Sequence, residues 1–188
     1  FSGPSSARNL TTHPSAIRGG KQALRVLPEL KEMSAHQDVP AAPGESLVVS
    51  GWIKTDDLTG TARLRLEARD AKGAVLLARE SQPVTGSSRK FIEVSAEIPA
   101  APAGTATLRI HLSAVAATPS TDPLQKAFFD DILLRRAGKE QPLANPGFES
   151  ERLWVNPDPG PLLEYRERVG ECLDRCARAL GRPGPFLR

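Results

Sequence analysis

Alternation of apolar and charged residues is the feature that most constrains the fold of this chain of 188 residues. In the segment 63–69, Leu64, Leu66 and Ala68 alternate with four charged side chains. Because successive side chains of a strand point to opposite faces, this pattern predicts a strand with one buried and one solvated face. The same period recurs in three further segments: 47–53, 92–98 and 108–112. Strands with one wet face are typical of antiparallel sheets.

Turn residues separate these segments. Proline and glycine cluster at 40–44, 99–104 and 119–123, and the short connection Asp70–Gly73 predicts a hairpin. The spacing between turns corresponds to about seven strands at intervals of roughly ten residues, without a helical period between them. The sequence therefore predicts an all-β fold, an antiparallel β-sandwich or jelly roll, over residues 19–150 after an N-terminal extension at 1–18.

The composition changes after residue 138, and the last part of the chain has a helical period. We interpret 151–188 as a linker and a C-terminal amphipathic helix that packs on the sandwich or on a partner. Its apolar positions are Leu162, Tyr165, Val169, Cys172, Leu173, Cys176 and Leu180. Cys172 and Cys176 lie one helical turn apart and could be core residues, links to another chain, or attachment points for a metal or cofactor.

Two adjacent carboxylates, Asp130 and Asp131, interrupt the apolar run 128–134. In a strand, Asp130 shares a face with Phe128 and Ile132. An unpaired buried charge costs several kcal/mol, so an inward Asp130 requires a partner. That partner could be a cation, backbone amides or a basic side chain.

Five motifs resemble, in order, the jelly-roll carbohydrate-binding modules with a galactose-binding-like fold. They are Gly19–Val26, Pro43–Lys54, Asp70–Gly73, Ala96–Pro99 and Phe129–Leu134. The resemblance covers about residues 19–136. A sixth motif, 145–150, is similar to the opening strand of the family but follows the closing one. It either folds back to complete the same sandwich or begins a second copy.

The resemblance also implies candidate site residues. In relatives that bind a structural calcium, the equivalent positions supply metal ligands, which implies Asp130, Asp131 and Glu149 here. The alternative is that Asp130 accepts backbone hydrogen bonds and Asp131 is solvated. Many relatives carry a tryptophan where this chain has Arg89, and Phe91 is the nearest ring, so these two join Trp52 as candidate ligand-binding residues. Trp52 either packs on the sheet or lines a cleft.

Composition restricts the function classes. The net charge is only +3 with scattered basic residues, which argues against nucleic acid, and aromatic residues make up only 5%. No apolar run reaches the roughly 18 residues of a transmembrane helix. His13, His36 and His111 stand in no recognisable catalytic spacing, and His111 alternates with apolar neighbours so that it is expected to face solvent. We therefore expect no catalytic residues.

Two functions remain after these exclusions. The first is a non-catalytic, extracytoplasmic module that binds a glycan or presents an adhesive surface, stiffened by calcium. The second is an accessory or structural subunit of a larger protein assembly. This subunit would dock through five residues of the C-terminal helix: Leu162, Tyr165, Val169, Cys172 and Cys176.

Overall fold

The computed structural model describes residues 10–28, 32–117 and 125–149. Within these ranges the chain consists of antiparallel strands and a short 3-10 helix at Pro14–Ala16. The strands are β1 (Leu10–Thr11), β2 (Ala23–Val26), β3 (Met33–Pro40), β4 (Leu47–Asp56), β5 (Leu58–Arg69), β6 (Val75–Glu80), β7 (Val84–Gly86), β8 (Ile92–Ile98), β9 (Thr107–Val115), β10 (Lys126–Arg136) and β11 (Lys139–Gln141).

The first sheet has the strand order β1-β2-β10-β4-β8, with β11 also paired to β10. Its central strand, β10, pairs with β4 on one side and with β2 and β11 on the other. The register between β10 and β4 shifts between Asp130 and Leu133. A bulge of this kind re-aims side chains, and here it lies beside the two carboxylates.

The second sheet has the order β3-β9-β5-β6, with β7 paired to β5. Its register places His36 of β3 opposite His111 of β9, and His111 opposite Arg65 of β5. Arg65 is in turn opposite Glu80 of β6. These four side chains therefore form one row across the sheet.

The hydrophobic core lies between the inward faces of the two sheets. On β5, Leu64, Leu66 and Ala68 are each 0% exposed, which confirms the strand face predicted from their alternation. The same holds for Leu108, Ile110 and Leu112 on β9, and burying each such side chain contributes about 1.5–3 kcal/mol. The predicted all-β antiparallel architecture is confirmed, and the helix predicted within 151–188 lies outside the described residues.

The segment 145–149 packs on the same sandwich. The amide of Ile132 donates to the carbonyl oxygen of Pro146 at 2.9 Å, and Phe148 is 1% exposed within the shared core. Of the two alternatives, the described residues bear out the one in which this segment folds back. The first sheet also begins earlier than residue 19, because Leu10–Thr11 pairs with β2.

The hairpin expected at Asp70–Gly73 is present between β5 and β6. Asp70 Oδ1 accepts from the amides of Lys72 and Ala74, and Gly73 has a φ of +85°. Asp favours such turns through these local hydrogen bonds. No helix among the described residues combines the length and apolar character needed to span a membrane.

Candidate functional site

Asp130 is fully buried and its partners are backbone amides. Its Oδ2 accepts from the amides of Arg18 at 2.9 Å and Gly19 at 3.2 Å, and its Oδ1 accepts from the amide of Asp131 at 2.9 Å. Burial raises the pKa of the Asp130 carboxyl, and these three hydrogen bonds oppose the rise. The interaction ties the bulge of β10 to a loop more than a hundred residues earlier in the sequence.

Arg18 connects three groups at this position. Besides the amide contact with Asp130, its guanidinium forms an ion pair with Asp131 and stacks 3.8 Å from the centroid of the Trp52 ring. Asp130 and Trp52 are register partners on β10 and β4, so Arg18 covers both strands. Arginine provides a planar cation that can satisfy a carboxylate and an aromatic face together.

Glu149 fastens the same loop from the other side. Its Oε1 accepts from the amides of Lys21 at 2.8 Å and Gln22 at 3.3 Å. Gly20 has a φ of +66°, and a Cβ at that position would lie 1.9 Å from Glu149 Oε1. The close approach of Glu149 therefore requires glycine at position 20.

The predicted metal ligands Asp130, Asp131 and Glu149 thus converge on one loop, but each is occupied by N–H donors. The Arg18 guanidinium lies beside Asp131, where a bound cation would be repelled. In the described ranges no group of three or more His, Cys, Asp or Glu is placed to hold a metal ion. Calcium requires six to eight oxygen ligands, and this arrangement does not fit it. A structural calcium stays an untested prediction.

The predicted ligand-binding residues lie on the first sheet. Trp52 alternates with buried neighbours on β4, so it faces away from the core, where it is half-buried beneath Arg18. Arg89 is exposed in the loop before β8, and the half-buried Phe91 immediately precedes that strand. Glu93 of β8 is the register partner of Trp52. Trp52, Arg89 and Phe91 therefore belong to the outer surface and edge of this sheet.

The second sheet carries a larger polar surface that was not predicted as a site. We use the term outer face for the residues of β3, β9, β5 and β6 that point away from the core. Its charged and histidine side chains on the strands are His36, Asp38, Arg63, Arg65, Glu67, Arg69, Glu80, Arg109 and His111. The Phe and Trp side chains of the described residues lie elsewhere. The outer face therefore offers hydrogen bonds and charge instead of aromatic platforms.

Ion pairs fix the arginines of the outer face. Arg109 binds Asp38 with two hydrogen bonds, at 2.6 Å and 2.7 Å. Glu67 is shared by Arg65 at 2.9 Å and Arg69 at 2.5 Å. Carboxylate–guanidinium pairs with two bonds are geometrically well defined, so these side chains are held in place before any ligand arrives.

Arg63 forms a single hydrogen bond with Glu80, at 2.5 Å. Each of the carboxylates Asp38, Glu67 and Glu80 thus pairs with at least one arginine. The side chains of Arg63 and Arg65 retain exposed fractions of 29% and 32%, so each remains partly accessible to solvent.

His36 and His111 lie together near the middle of the outer face. Their ring centroids are 5.7 Å apart. His111 points outward as predicted, but the expectation that it is solvated is wrong, because its side chain is only 15% exposed. Neighbours on β3 and β5 cover it, and a single strand's alternation cannot reveal cross-strand neighbours.

Charge and burial change the titration of this cluster. Burial lowers the pKa of His36, and Arg109 lowers it further. Burial also lowers the pKa of His111, although Glu67 favours its protonated form. Burial alone would raise the pKa of Glu67, but Arg69 and His111 hold it below its ordinary value. Both histidines are therefore neutral at pH 7, and Glu67 is ionised.

A pocket of about 200 Å³ opens at one end of the outer face. Its lining is mostly polar and comprises Glu32, Thr61, Arg63, Glu80, Ser113 and Val115. The register pairs Thr61 with Val115 and Arg63 with Ser113, which places the pocket directly beside the row of Arg65 and His111. It is smaller than the roughly 300–1,000 Å³ of sites for drug-sized ligands, and its size suits one small polar unit.

Comparison with known proteins supports the fold and leaves function open. No protein-family model matches the chain, and no curated protein matches it. A similar solved structure is the enzymatically active domain of bacteriophage CBA120 tailspike protein 4, with a TM-score of 0.51 and 11% identity. The match covers 68% of this chain but 17% of the tailspike chain. At this identity the likeness concerns the fold alone.

Carbohydrate-binding modules are also among the structural neighbours. The CBM22-1 xylan-binding domain of Paenibacillus barcinonensis Xyn10C has a TM-score of 0.46 and 15% identity, covering 69% of this chain and 80% of that one. TmCBM61, solved with β-1,4-galactotriose, has a TM-score of 0.44 and 20% identity, covering 68% and 80%. With TM-scores below 0.5, these neighbours do not bear on the ligand of this chain.

Proposed function

We propose that this chain is a carbohydrate-binding module that binds saccharides on the outer face of the second sheet. The observation that carries the proposal is the set of arginines held by carboxylates beside a small polar pocket. Each guanidinium is a rigid fork of donors, and each carboxylate is an acceptor. Such fixed donors and acceptors suit the hydroxyl groups of a sugar.

Preorganisation strengthens the proposal. A ligand that binds flexible side chains loses affinity because those side chains must be ordered, at about 0.5–1.5 kcal/mol each. Here Arg63 and Arg109 are ordered by Glu80 and Asp38 in the free protein. The pocket beside Arg63 would receive one sugar unit, and the polymer would continue across the sheet toward Arg109.

The first sheet is the competing surface for a saccharide. Trp52, Arg89 and Phe91 would bind it by stacking, as the family resemblance implies. However, the guanidinium of Arg18 already occupies one face of the Trp52 ring. Lys54 donates to the carbonyl oxygen of Ser15 at 2.7 Å, so the segment before Arg18 covers more of this surface. These contacts favour the second sheet as the binding surface.

The proposed role is binding without catalysis, in an extracytoplasmic setting where polysaccharides occur. Asp38, Glu67 and Glu80 on the outer face are each engaged by arginine, whereas glycoside hydrolysis requires a pair of carboxyl groups flanking the bond. We retain the accessory subunit as the alternative. Its docking residues, Leu162, Tyr165, Val169, Cys172 and Cys176, lie outside the described residues.

Affinity electrophoresis in gels containing soluble polysaccharides tests the proposal. Arg63→Ala should weaken retardation by about tenfold, because a hydrogen bond to a charged group contributes about 1.5–3 kcal/mol. Arg135→Ala is the matched control, since Arg135 also forms an exposed ion pair, with Glu140 at 3.4 Å, but on the first sheet. Equal losses in both variants, or loss only in Trp52→Ala, would place binding elsewhere.

A further inference from the structure

The row across the outer face contains polar atoms without partners. Nδ1 of His36, Nε2 of His111 and Nε of Arg65 are each buried and lack a hydrogen-bond partner. The His111 atom lies 3.2 Å from Oε2 of Glu67 without the alignment of a hydrogen bond. The Arg65 atom is a donor, and both imidazole atoms become donors when the rings are protonated. With both rings protonated, the row would therefore hold three N–H donors without an aligned acceptor, although the carboxylates of Glu67 and Glu80 lie close by.

Arginines outnumber carboxylates within the ion-pair network of this row, and Glu32 adds a carboxylate in the pocket at its end. The ion-pair network contains four arginines and three carboxylates: Arg63, Arg65, Arg69, Arg109, Asp38, Glu67 and Glu80. Protonation of His36 and His111 would add two positive charges to it. An anionic group bound on the outer face would compensate the positive charge that protonation adds.

We propose that the saccharide bound on the outer face is anionic, carrying carboxylate or sulfate groups, and that its binding is coupled to proton uptake by His36 and His111. This inference rests on the proposed saccharide-binding function and specifies its ligand class. The partly exposed side chains of Arg63 and Arg65 make the first contacts. The two histidines, adjacent to Arg65 in the row, then respond to the added negative charge.

The charged groups that face each ring explain the coupling. His36 faces Asp38 on its own strand, Arg109 and His111 on β9, and Arg69 on β5. His111 faces Arg109 on its own strand, with Glu67 and Arg65 on β5. In the free protein the arginines and burial oppose protonation of both rings. A bound anion reverses this balance, so protonation and anion binding strengthen each other by the same factor.

Four polymers separate the charge effect from saccharide binding in general. Polygalacturonate and its methyl-esterified form share a backbone and differ in charge, neutral galactan tests uncharged binding, and dextran sulfate tests sulfate in place of carboxylate. Affinity of the full chain is measured at pH 7.5 and pH 5. We expect binding of polygalacturonate about tenfold tighter at pH 5, with little change for the esterified polymer. Comparing dextran sulfate with polygalacturonate shows whether sulfate or carboxylate is preferred.

The double variant His36→Gln, His111→Gln tests which groups take up the protons. We expect its affinity for polygalacturonate to be the same at pH 5 as at pH 7.5, because glutamine cannot take up a proton. Arg135→Gln controls for general attraction of a basic chain to a polyanion, and it should behave as the unmodified protein does. NMR titration of the unmodified protein is a measurement that needs no variant. Added polygalacturonate should raise the pKa of His36 and of His111.

The outcomes distinguish failure of the inference from failure of the proposed function. Equal binding of neutral and anionic polymers without pH dependence would overturn the inference and leave saccharide binding intact. A gain at pH 5 that persists in the double variant, or imidazole pKa values unchanged by ligand, would also overturn it. Absence of binding to all polymers would overturn both.

Discussion

The guanidinium of Arg18 lies 3.8 Å from the centroid of the Trp52 ring, on the outer surface of the first sheet. The same residue donates its backbone amide to the buried Asp130. One residue of the early loop therefore covers the tryptophan and satisfies a buried charge. This relationship explains why one face of the ring is covered, and it is the reason we predict that the two aspartates of β10 bind no cation.

Asp130→Asn should destabilise the fold far more than Asp131→Asn. The asparagine side chain would place an N–H donor among three amide donors, and leaving such donors unsatisfied costs about 1–3 kcal/mol each. Asp131 is 37% exposed and forms a surface pair with Arg18, so its change should cost about 1 kcal/mol or less. Urea unfolding of both variants measures the difference, and equal losses would contradict the assigned role of Asp130.

Gly20→Ala should cost more than Gly44→Ala. Both glycines have positive φ, +66° and +79°, so both variants incur the same backbone strain of about 1–2 kcal/mol. Only at Gly20 does the added Cβ meet Glu149, whereas nothing lies within 4 Å of it at Gly44. The clash should displace the bonds to the Lys21 and Gln22 amides and add about 1 kcal/mol. Chemical unfolding checks this, and equal costs would argue against the Glu149 contact.

Calcium should not stabilise the protein. Asp130, Asp131 and Glu149 are occupied by amides and by the Arg18 guanidinium. We therefore expect the same melting temperature with millimolar calcium as with a chelator. Arg18→Ala is the more demanding control, because it removes the guanidinium that would repel a cation, and its melting temperature should also be unchanged at high calcium. An increase of several degrees in the melting temperature of the unmodified protein with calcium would support the metal site that the family resemblance implies.

Stability should fall as the pH drops below 6.5. His36 and His111 have lowered pKa values in the folded state, so the unfolded chain, with pKa near 6.5, binds more protons below that pH. Their stabilising contribution is therefore complete above pH 6.5 and is lost as the pH falls toward the folded values. Urea unfolding at pH 7.5 and 5.0 should show this loss, and it should be smaller in His36→Gln, His111→Gln. An anionic ligand should restore stability at pH 5.0.

Sequence alternation predicted the strands and their faces because it records which side chains the core removes from water. Leu64, Leu66 and Ala68 illustrate this. The alternation also predicted that Asp130 needs a partner, but it could not show whether that partner is a cation, a backbone amide or a basic side chain. The choice depends on Arg18 and Gly19, more than a hundred residues away, and on the bulge after Asp130.

The outer face escaped prediction for a related reason. When each strand is considered alone, the side chains of this face look like ordinary solvated residues. His111 was interpreted in this way. Only the registers of β3 with β9 and β9 with β5 align His36, His111 and Arg65 in one row. The resemblance to sugar-binding modules directed attention instead to Trp52, Arg89 and Phe91 on the other sheet. A signal in the sequence was the repeated arginine at 63, 65 and 69, whose alternation placed three cations on one face.

Mapping the binding surface by NMR distinguishes saccharide binding on the second sheet from binding on the first. An isotopically labelled chain is titrated with saccharides, including an oligogalacturonate, and the amide and arginine side-chain NMR signals are followed. We predict that the largest shifts occur around Arg63, Arg65 and His111 on the outer face. Shifts confined to Trp52, Arg89 and Phe91 would contradict it and assign binding to the first sheet.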